Sequence, residues 1–315
     1  MAFQNSFKTW TAGRVLGGVT LAGAAVFILK RNIQTSTSPM SLTQNTTTSA
    51  APAAKAAFNK VGPAFLRLKL HSSEDLSPTT KRLKFELPSP DLVSGLGLCS
   101  SVLTAAWPKG SFLPVIRPYT PVSRLDENGF LELTVRRYPT GKMSSHIHSL
   151  VPGDTLLFPA VIPAYTWVPN KHEEITLIAG GAGITPMFQL AQGILNNPDD
   201  KTKINLVYGV RNDSEMLFKD TFTSWQQQFP DRFRATFVVR EPEAGSSYQR
   251  ADIDAALLSK VAPKPSSTDP SVSKVFVCGP PGMETALMGA SGFGSAKGAG
   301  ILEQLGYTKG QVFKF

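Results

Sequence analysis

Four stretches of the chain carry residue types that could grip a phosphorylated or aromatic ligand. The first is Ile175-Thr-Leu-Ile-Ala-Gly-Gly-Ala-Gly-Ile-Thr-Pro-Met187. Ile175 to Ala179 reads as a buried strand, followed by a glycine turn and a helix start with Thr185 and Pro186 in its first turn. Glycines 180, 181 and 183 let backbone amides come close to a ligand, because no Cβ stands between. The helix body, Met187 to about Leu195, would present free N–H groups to an anion or a polar ring edge. Taken alone, a purely structural turn explains the pattern equally well. The second stretch is Arg117-Pro118-Tyr119-Thr120-Pro121-Val122-Ser123, where two prolines stiffen the backbone around an arginine, a ring and a hydroxyl. Arginine binds phosphate through a fork, and tyrosine offers a flat surface. On composition, a strand edge ended by proline is the stronger reading of that stretch. Gly141-Lys142-Met143-Ser144-Ser145 precedes a helix ending near Leu150, and is either a second anion seat or an ordinary N-cap. Finally, Cys278-Gly279-Pro280-Pro281-Gly282-Met283 ends a strand begun at Val275. Its thiol could touch a flat ring or simply be a small buried hydrophobe.

Other chemistries lack support. Histidines 71, 146, 148 and 172 form no metal-spaced set, and no G-x-S-x-G, H-E-x-x-H or Walker motif occurs. Cys99 and Cys278 are the only cysteines, too few for a disulfide framework, a four-thiolate zinc site or an iron–sulfur cluster. No metal ligand is therefore assigned.

The elements that must position these stretches fall into two textures. Phe65–Leu70, Arg82–Leu87, Leu131–Val135 and Thr155–Phe158 alternate apolar and polar residues between turn clusters, which predicts a small antiparallel barrel or sandwich over residues 58–169. From 170 to 315 strands alternate with helices: strands at 175–179, 204–208, 235–239 and 275–278, and helices near 187–195, 215–228, 252–260, 283–287 and 300–305. That order predicts a doubly wound, mostly parallel sheet, whose ligands sit beyond the carboxyl ends of the strands. Gly180 and Gly279 both fall there. No internal repeat is visible.

The N-terminus differs from the rest in charge. Eight bases and no acid precede Glu74, while the remaining 24 bases meet 23 acids, so the formal charge of +9 belongs to the N-terminus. This argues against a nucleic-acid-binding body and for targeting or membrane contact. Val15–Leu29 is an uncharged apolar run, followed at once by Lys30 and Arg31. Extended back to Thr9, it is long enough to span as a helix with Arg14 and Lys30 snorkelling, so residues 1–31 are expected to be a signal-anchor with a transmembrane helix over about 9–29. A cleaved secretory signal is the competing reading, opposed by the large residues Phe27, Ile28 and Leu29 at its end. Residues 32–57, rich in Ser, Thr, Ala and Pro, read as a flexible tether.

In order along the chain, these stretches resemble the NADH–cytochrome b5 reductase family, within the wider ferredoxin–NADP⁺ reductase-like flavoproteins. The likeness covers roughly residues 60–315 and rests on Arg117–Ser123, Gly141–Ser144, Ala179–Met187, Val277–Met283 and the C-terminal Gln311–Phe315. It implies an antiparallel β-barrel that binds FAD, a Rossmann-like domain that binds NADH, and hydride transfer from nicotinamide to flavin without a catalytic side chain. Electrons would pass to cytochrome b5 or a similar small haem protein. The resemblance puts Arg117, Pro118 and the turn Gly141, Lys142, Met143 and Ser144 on FAD, with Arg117 and that turn on its pyrophosphate. It puts Tyr119 and Thr120 along the isoalloxazine, Arg136 near its polar part, and Thr185 with Pro186 at the ring from the other domain. Gly180, Gly181 and Gly183, with Cys278, Gly279, Pro280 and Met283, would shape the nicotinamide site, and Phe315 would cover the flavin.

The basic anchor, the tether and the glycine-rich stretch Gly289–Gly300 resemble the mitochondrial, fungal-type member. That implies a single-pass anchor in the mitochondrial outer membrane, with the endoplasmic reticulum membrane as the alternative. The sequence departs from the family pattern at Ala182, at Cys99–Leu103, near Pro159-Ala160, and at Val239. Val239 stands where an acid normally favours NADH, and Arg240 follows it; the expectation is a weakened preference for NADH, with NADPH open as a donor. Two other functions remain: a reductase serving an oxygenase or a quinone, and a degenerate, non-catalytic binding protein.

Overall fold

Alternating burial builds the first sheet. Its strands are β1 (Gly62–Ser77), β2 (Thr80–Glu86), β3 (Ser100–Ala106), β4 (Val115–Tyr119), β5 (Phe130–Arg136) and β6 (Thr155–Pro163), with helix α1 (Lys142–Ser149) before β6. They form an antiparallel sheet in the order β4-β3-β6-β1-β2-β5. Leu83 pairs with Leu133 and Phe85 with Leu131, all fully buried, because residues two apart on a strand share a face. Around them Leu68, Leu70, Phe158 and Val161 complete the core. The expected barrel does not close: among the described residues the edge strands β4 and β5 share no ladder. Instead α1 packs against both edges, with Met143 and Ile147 in the core, and the result is an open half-barrel. β3 escaped sequence reading, whereas β4 is the strand edge that composition favoured at Arg117–Ser123. β3 is buried on both faces toward its end, so it does not alternate, and β4 carries Pro118, tolerated because an edge strand leaves one side unpaired.

This computed structural model describes residues 55–109, 111–262, 265, 269, 271–290 and 299–315. The predicted span over 9–29, nearly all of the tether and most of Gly289–Gly300 lie outside the described residues. Among those described, no helix is long and apolar enough to cross a membrane. The last predicted tether residues belong to the body: the Ala57 and Phe58 N–H groups donate to the Val93 and Ser94 carbonyls, both at 2.9 Å.

The second sheet is parallel. Its elements are β7 (Glu174–Gly180), α2 (Ile184–Asn196), β8 (Lys203–Val210), α3 (Lys219–Gln228), β9 (Phe233–Val239), β10 (Gln249–Arg250), α4 (Ala255–Val261), β11 (Ser273–Cys278), α5 (Pro281–Met288), α6 (Ile301–Gln304) and β12 (Val312–Lys314). The order β10-β9-β8-β7-β11-β12 makes β7 and β11 neighbours, with the chain winding away from them in both directions. That reversal is the switch point where doubly wound sheets open a crevice. The continuous burial of Ile175–Gly180 reflects a central strand covered on both faces. Helix α2 begins at Ile184, three residues earlier than its expected body, because a 3₁₀ turn over Gly181–Gly183 leads directly into it. The expected helix near 215–228 is broken at Phe218, which adopts φ +58°, leaving a 3₁₀ turn at Asp213–Glu215 and then α3.

Both sheets belong to one compact unit. Gln189 of α2 joins them. Its carboxamide oxygen accepts from the Ser100 N–H at 3.1 Å, and its amide nitrogen donates to the carbonyls of Ser100 and Pro121, each at 3.1 Å. The side chain is almost wholly buried, so leaving any of these bonds unmade would cost about 1–3 kcal/mol.

Candidate functional site

A cavity of about 710 Å³ lies between the half-barrel and the carboxyl ends of β7 and β11. On the barrel side it is lined by Arg117, Pro118, Tyr119 and Thr120 at the end of β4, Arg136 at the end of β5, and Gly141, Lys142, Met143 and Ser144 at the start of α1. Arg117 spends one guanidinium N–H on the Ile116 carbonyl at 2.8 Å, which fixes the fork while most of the group stays exposed. The Thr120 hydroxyl shares a 2.9 Å hydrogen bond with Ser101. Burial pushes the Tyr119 phenol up to about 12, so its ring presents a neutral wall. Helix α1 has no side-chain N-cap, and its first amides face the cavity. Ser144 does not serve as a free hydroxyl: it accepts from the Tyr138 N–H at 3.2 Å and donates to the Gly141 carbonyl at 3.1 Å, closing the turn. The Met143 side chain points into the barrel core, so only its backbone can meet a ligand.

The opposite wall is mostly backbone. Gly180, Ala182, Gly183, Thr185, Pro186, Cys278, Gly279 and the C-terminal Phe315 line it. A Cβ on Gly183 would lie 2.3 Å from the Cys278 carbonyl oxygen, and one on Gly279 would lie 3.1 Å from the Gly180 nitrogen. The two glycine turns are thus pressed against each other, and part of their glycine requirement comes from the protein itself. Gly181 is needed for another reason, its φ of +52°. Gly181, Pro280 and Met283, expected at the site, do not line the cavity. Pro280 and Met283 pack behind the turn, where a Cβ on Gly180 would meet them at 2.7 and 2.8 Å. The Thr185 hydroxyl donates to the Ala182 carbonyl at 3.3 Å and starts α2.

Charge in this wall is arranged around Glu284. It accepts from the Gly279 N–H at 3.3 Å and pairs with Lys314 at 2.5 Å, tying the turn after β11 to the C-terminal strand. Burial first, and then the Glu284 carboxylate, push the Cys278 thiol up to about 12, so it is neutral. Phe315 donates its N–H to the Val277 carbonyl at 3.0 Å and stacks on Phe276 at 5.7 Å between ring centres. Arg136 reaches across to the other domain, forking onto Glu215 at 2.9 and 2.5 Å.

The pattern of the oxidoreductase FAD-binding domain family matches residues 67–165, and that of the oxidoreductase NAD-binding domain matches residues 177–288. The chain is 46% identical over 263 residues to NADH-cytochrome b5 reductase 2 of Botryotinia fuckeliana, covering 83% of this chain and 75% of that protein. The chain belongs to the NADH-cytochrome b5 reductase family. A second member, NADH-cytochrome b5 reductase 2 of Emericella nidulans, is 46% identical over 253 residues, or 80% of this chain and 78% of its own. The crystal structure of the cytochrome b5 reductase domain of Ulva prolifera nitrate reductase has the same fold, with a TM-score of 0.68 at 24% identity over 82% of this chain and all of that one. As a member of the cytochrome b5 reductase family, the protein is an FAD oxidoreductase with an NAD-binding domain.

The cavity fits such a cofactor. The Thr134 hydroxyl lines it, is buried, and has no partner among the described residues, so a polar ligand edge would satisfy it. The unpaired amides of α1 and the Arg117 fork supply an anion seat beside it. Thr134, Tyr138 and Thr140 were not singled out in the sequence. Thr134 sits inside an alternating strand, on the face of β5 opposite Leu133 and Val135, and only the cavity beside that face gives it a ligand to meet. Val239 is fully buried in the core below the sheet end. The arginine after it is not free: Arg240 donates to Asp252 at 2.5 Å, so a carboxylate from the segment after β10 stands where the end of β9 has none.

Proposed function

We propose that the protein oxidises NADH, takes its electrons through FAD bound in the cavity, and delivers them to cytochrome b5 or a similar small haem protein. The observation that carries this reading is the meeting, in one cavity, of an anion-binding barrel edge with the switch point of a nucleotide sheet. Bound FAD would supply the ability to accept a hydride and release single electrons. The chain's residues do the rest. Arg117 and the first amides of α1 would hold pyrophosphate oxygens, Tyr119 and Thr120 would orient the ring, and the Gly180 and Gly279 turns would leave room for a nicotinamide. Phe315 excludes water from the outer side, and the neutral Cys278 thiol offers a soft, uncharged surface to a ring. Gln189 keeps the two walls in register.

The test is direct. The purified protein should be yellow, bleach anaerobically with NADH, and reduce cytochrome b5 faster than quinones or ferredoxins. A colourless preparation that takes up no added FAD overturns the reading, and equal rates with every acceptor overturn the choice of partner.

Two finer points belong to this proposal. Preference for NADH over NADPH is weakened by the missing acid at Val239, though Asp252 limits the gain by occupying Arg240. A kcat/KM ratio above about a thousandfold in favour of NADH, about 4 kcal/mol, would sink that idea. Residues 9–29 anchor the protein in the mitochondrial outer membrane, a reading supported by the apolar run between Arg14 and Lys30 and by the acid-free N-terminus. Recovery in the carbonate-soluble fraction of mitochondria, or in microsomes, would overturn it.

A further inference from the structure

Phe65 is 71% exposed and sits at φ +50°, in the left-handed region that a Cβ disfavours. The register of β1 on β6 slips between Pro63 and Leu66, and this bulge places the strained residue on the outer face. A large apolar side chain held in an unfavourable backbone state, with little burial in return, calls for a functional account. Its neighbours are of the same kind. Burial alternates along β1, leaving Val61, Pro63, Phe65 and Arg67 outward. Val161, paired with Gly62, points into the core, so Ile162 points out, and the pairing carried one residue further sets it beside Val61. Val61 is 60% exposed and Ile162 41%. Lys60, next to Val61 in sequence, and Arg67, two residues beyond Phe65 on the outward side of β1, are both exposed.

We propose that this outer face of β1 and β6 rests on an anionic lipid surface, with Phe65, Val61 and Ile162 in the interfacial layer and Lys60 and Arg67 at the headgroup phosphates. The proposal rests on the anchored reading of residues 9–29. Two facts favour lipid over a protein partner. The composition, exposed apolar side chains alternating with or adjoining Lys60 and Arg67 on one strand, is that of interfacial membrane contacts. The face also lies within about ten residues of where the described chain begins, and the 23 residues from 32 to 54 can separate it from the anchor by no more than about 80 Å. A site tethered in this way meets lipid at high effective concentration. The contact would hold the body in one orientation on the membrane.

The experiment uses the full chain, reconstituted into phosphatidylcholine vesicles with and without phosphatidylserine. In a Trp10→Phe background, which removes the tryptophan of the anchor, Phe65→Trp is compared with Phe65 for fluorescence quenching by lipids brominated near the headgroup. The expected result is co-flotation of both proteins with vesicles, and quenching of Phe65→Trp several-fold above that of the protein retaining Phe65, falling when phosphatidylserine is omitted. Co-flotation without added quenching overturns this proposal alone. A blue-shifted emission gained by the Phe65→Trp protein that brominated lipid does not quench also overturns it, since the face is then covered by protein, either the chain's own N-terminal segment or a second copy. Failure to co-float overturns the anchor reading, and this proposal with it.

Discussion

The two walls of the cavity are built from different material. The barrel wall works through side chains: a guanidinium, a phenol ring and hydroxyls, each fixed by a neighbour such as Ile116 or Ser101. The nucleotide wall works through backbone, with glycine turns so close that the Gly183 Cα has the Cys278 carbonyl where its Cβ would be. A wall of side chains can lose one group and keep its shape, so damage should be graded and chemically specific. A wall of touching backbones has no slack, so the smallest added group should displace both turns. Each wall can be broken separately.

The largest effect is expected from Gly183→Ala, because the clash at 2.3 Å is with backbone that cannot rotate away. Turnover with NADH should fall at least about a hundredfold, roughly 2.7 kcal/mol, while the protein stays yellow. Loss of FAD with normal nucleotide binding would reverse the assignment of the two walls. Arg117→Ala should do the opposite: FAD affinity falls about ten- to a hundredfold, 1.4–2.8 kcal/mol, with KM for NADH unchanged in the flavin-loaded fraction. Arg117→Lys should recover only part of that, since an ammonium cannot fork onto a pyrophosphate.

Where the walls meet, Glu215→Gln should be milder. Arg136 and Glu215 are partly buried, and losing one charge leaves the other unpaired, for a cost of about 1–2 kcal/mol in thermal melts. If the melting curve does not move, the pair adds nothing to docking. Acidification gives the smallest effect, and it should fall on the barrel wall. His148 on α1 is bonded to the Val135 carbonyl at 2.7 Å, and its pKa is held below the ordinary 6.5, first by burial and then by Lys81 and Arg137. The unfolded chain therefore binds a proton that the folded one resists. The stability involved is complete above about pH 6.5 and is lost as pH falls from there toward the lowered folded value. His148→Gln should flatten this part of the FAD-retention profile; an unchanged slope would place the titration elsewhere.

Much of this was legible in the sequence where geometry is local. Period-two alternation marked β1, β2 and β5, since each has one face in the core. The run Ile175–Ala179 followed by glycines marked a buried strand feeding a helix, and the ordered motifs by themselves pointed to the reductase family. The opening of the barrel was not legible, because nothing in an edge strand's sequence records whether another edge pairs with it. Nor was the role of Pro280 and Met283, which look like site residues in a motif and turn out to brace it from behind.

The sequence by itself determined the elements, their order and the residue types at the cavity, because helix, strand and turn preferences act over a few neighbouring positions. Only the tertiary structure decided which of those residues meet. Gln189 binds Ser100 and Pro121, 89 and 68 positions away, and Arg136 binds Glu215, 79 positions away. Gly183 must be glycine because of the Cys278 carbonyl, and Arg240 is answered by Asp252 rather than by its own strand. Such contacts depend on two surfaces docking after each has folded, and no local preference encodes the partner.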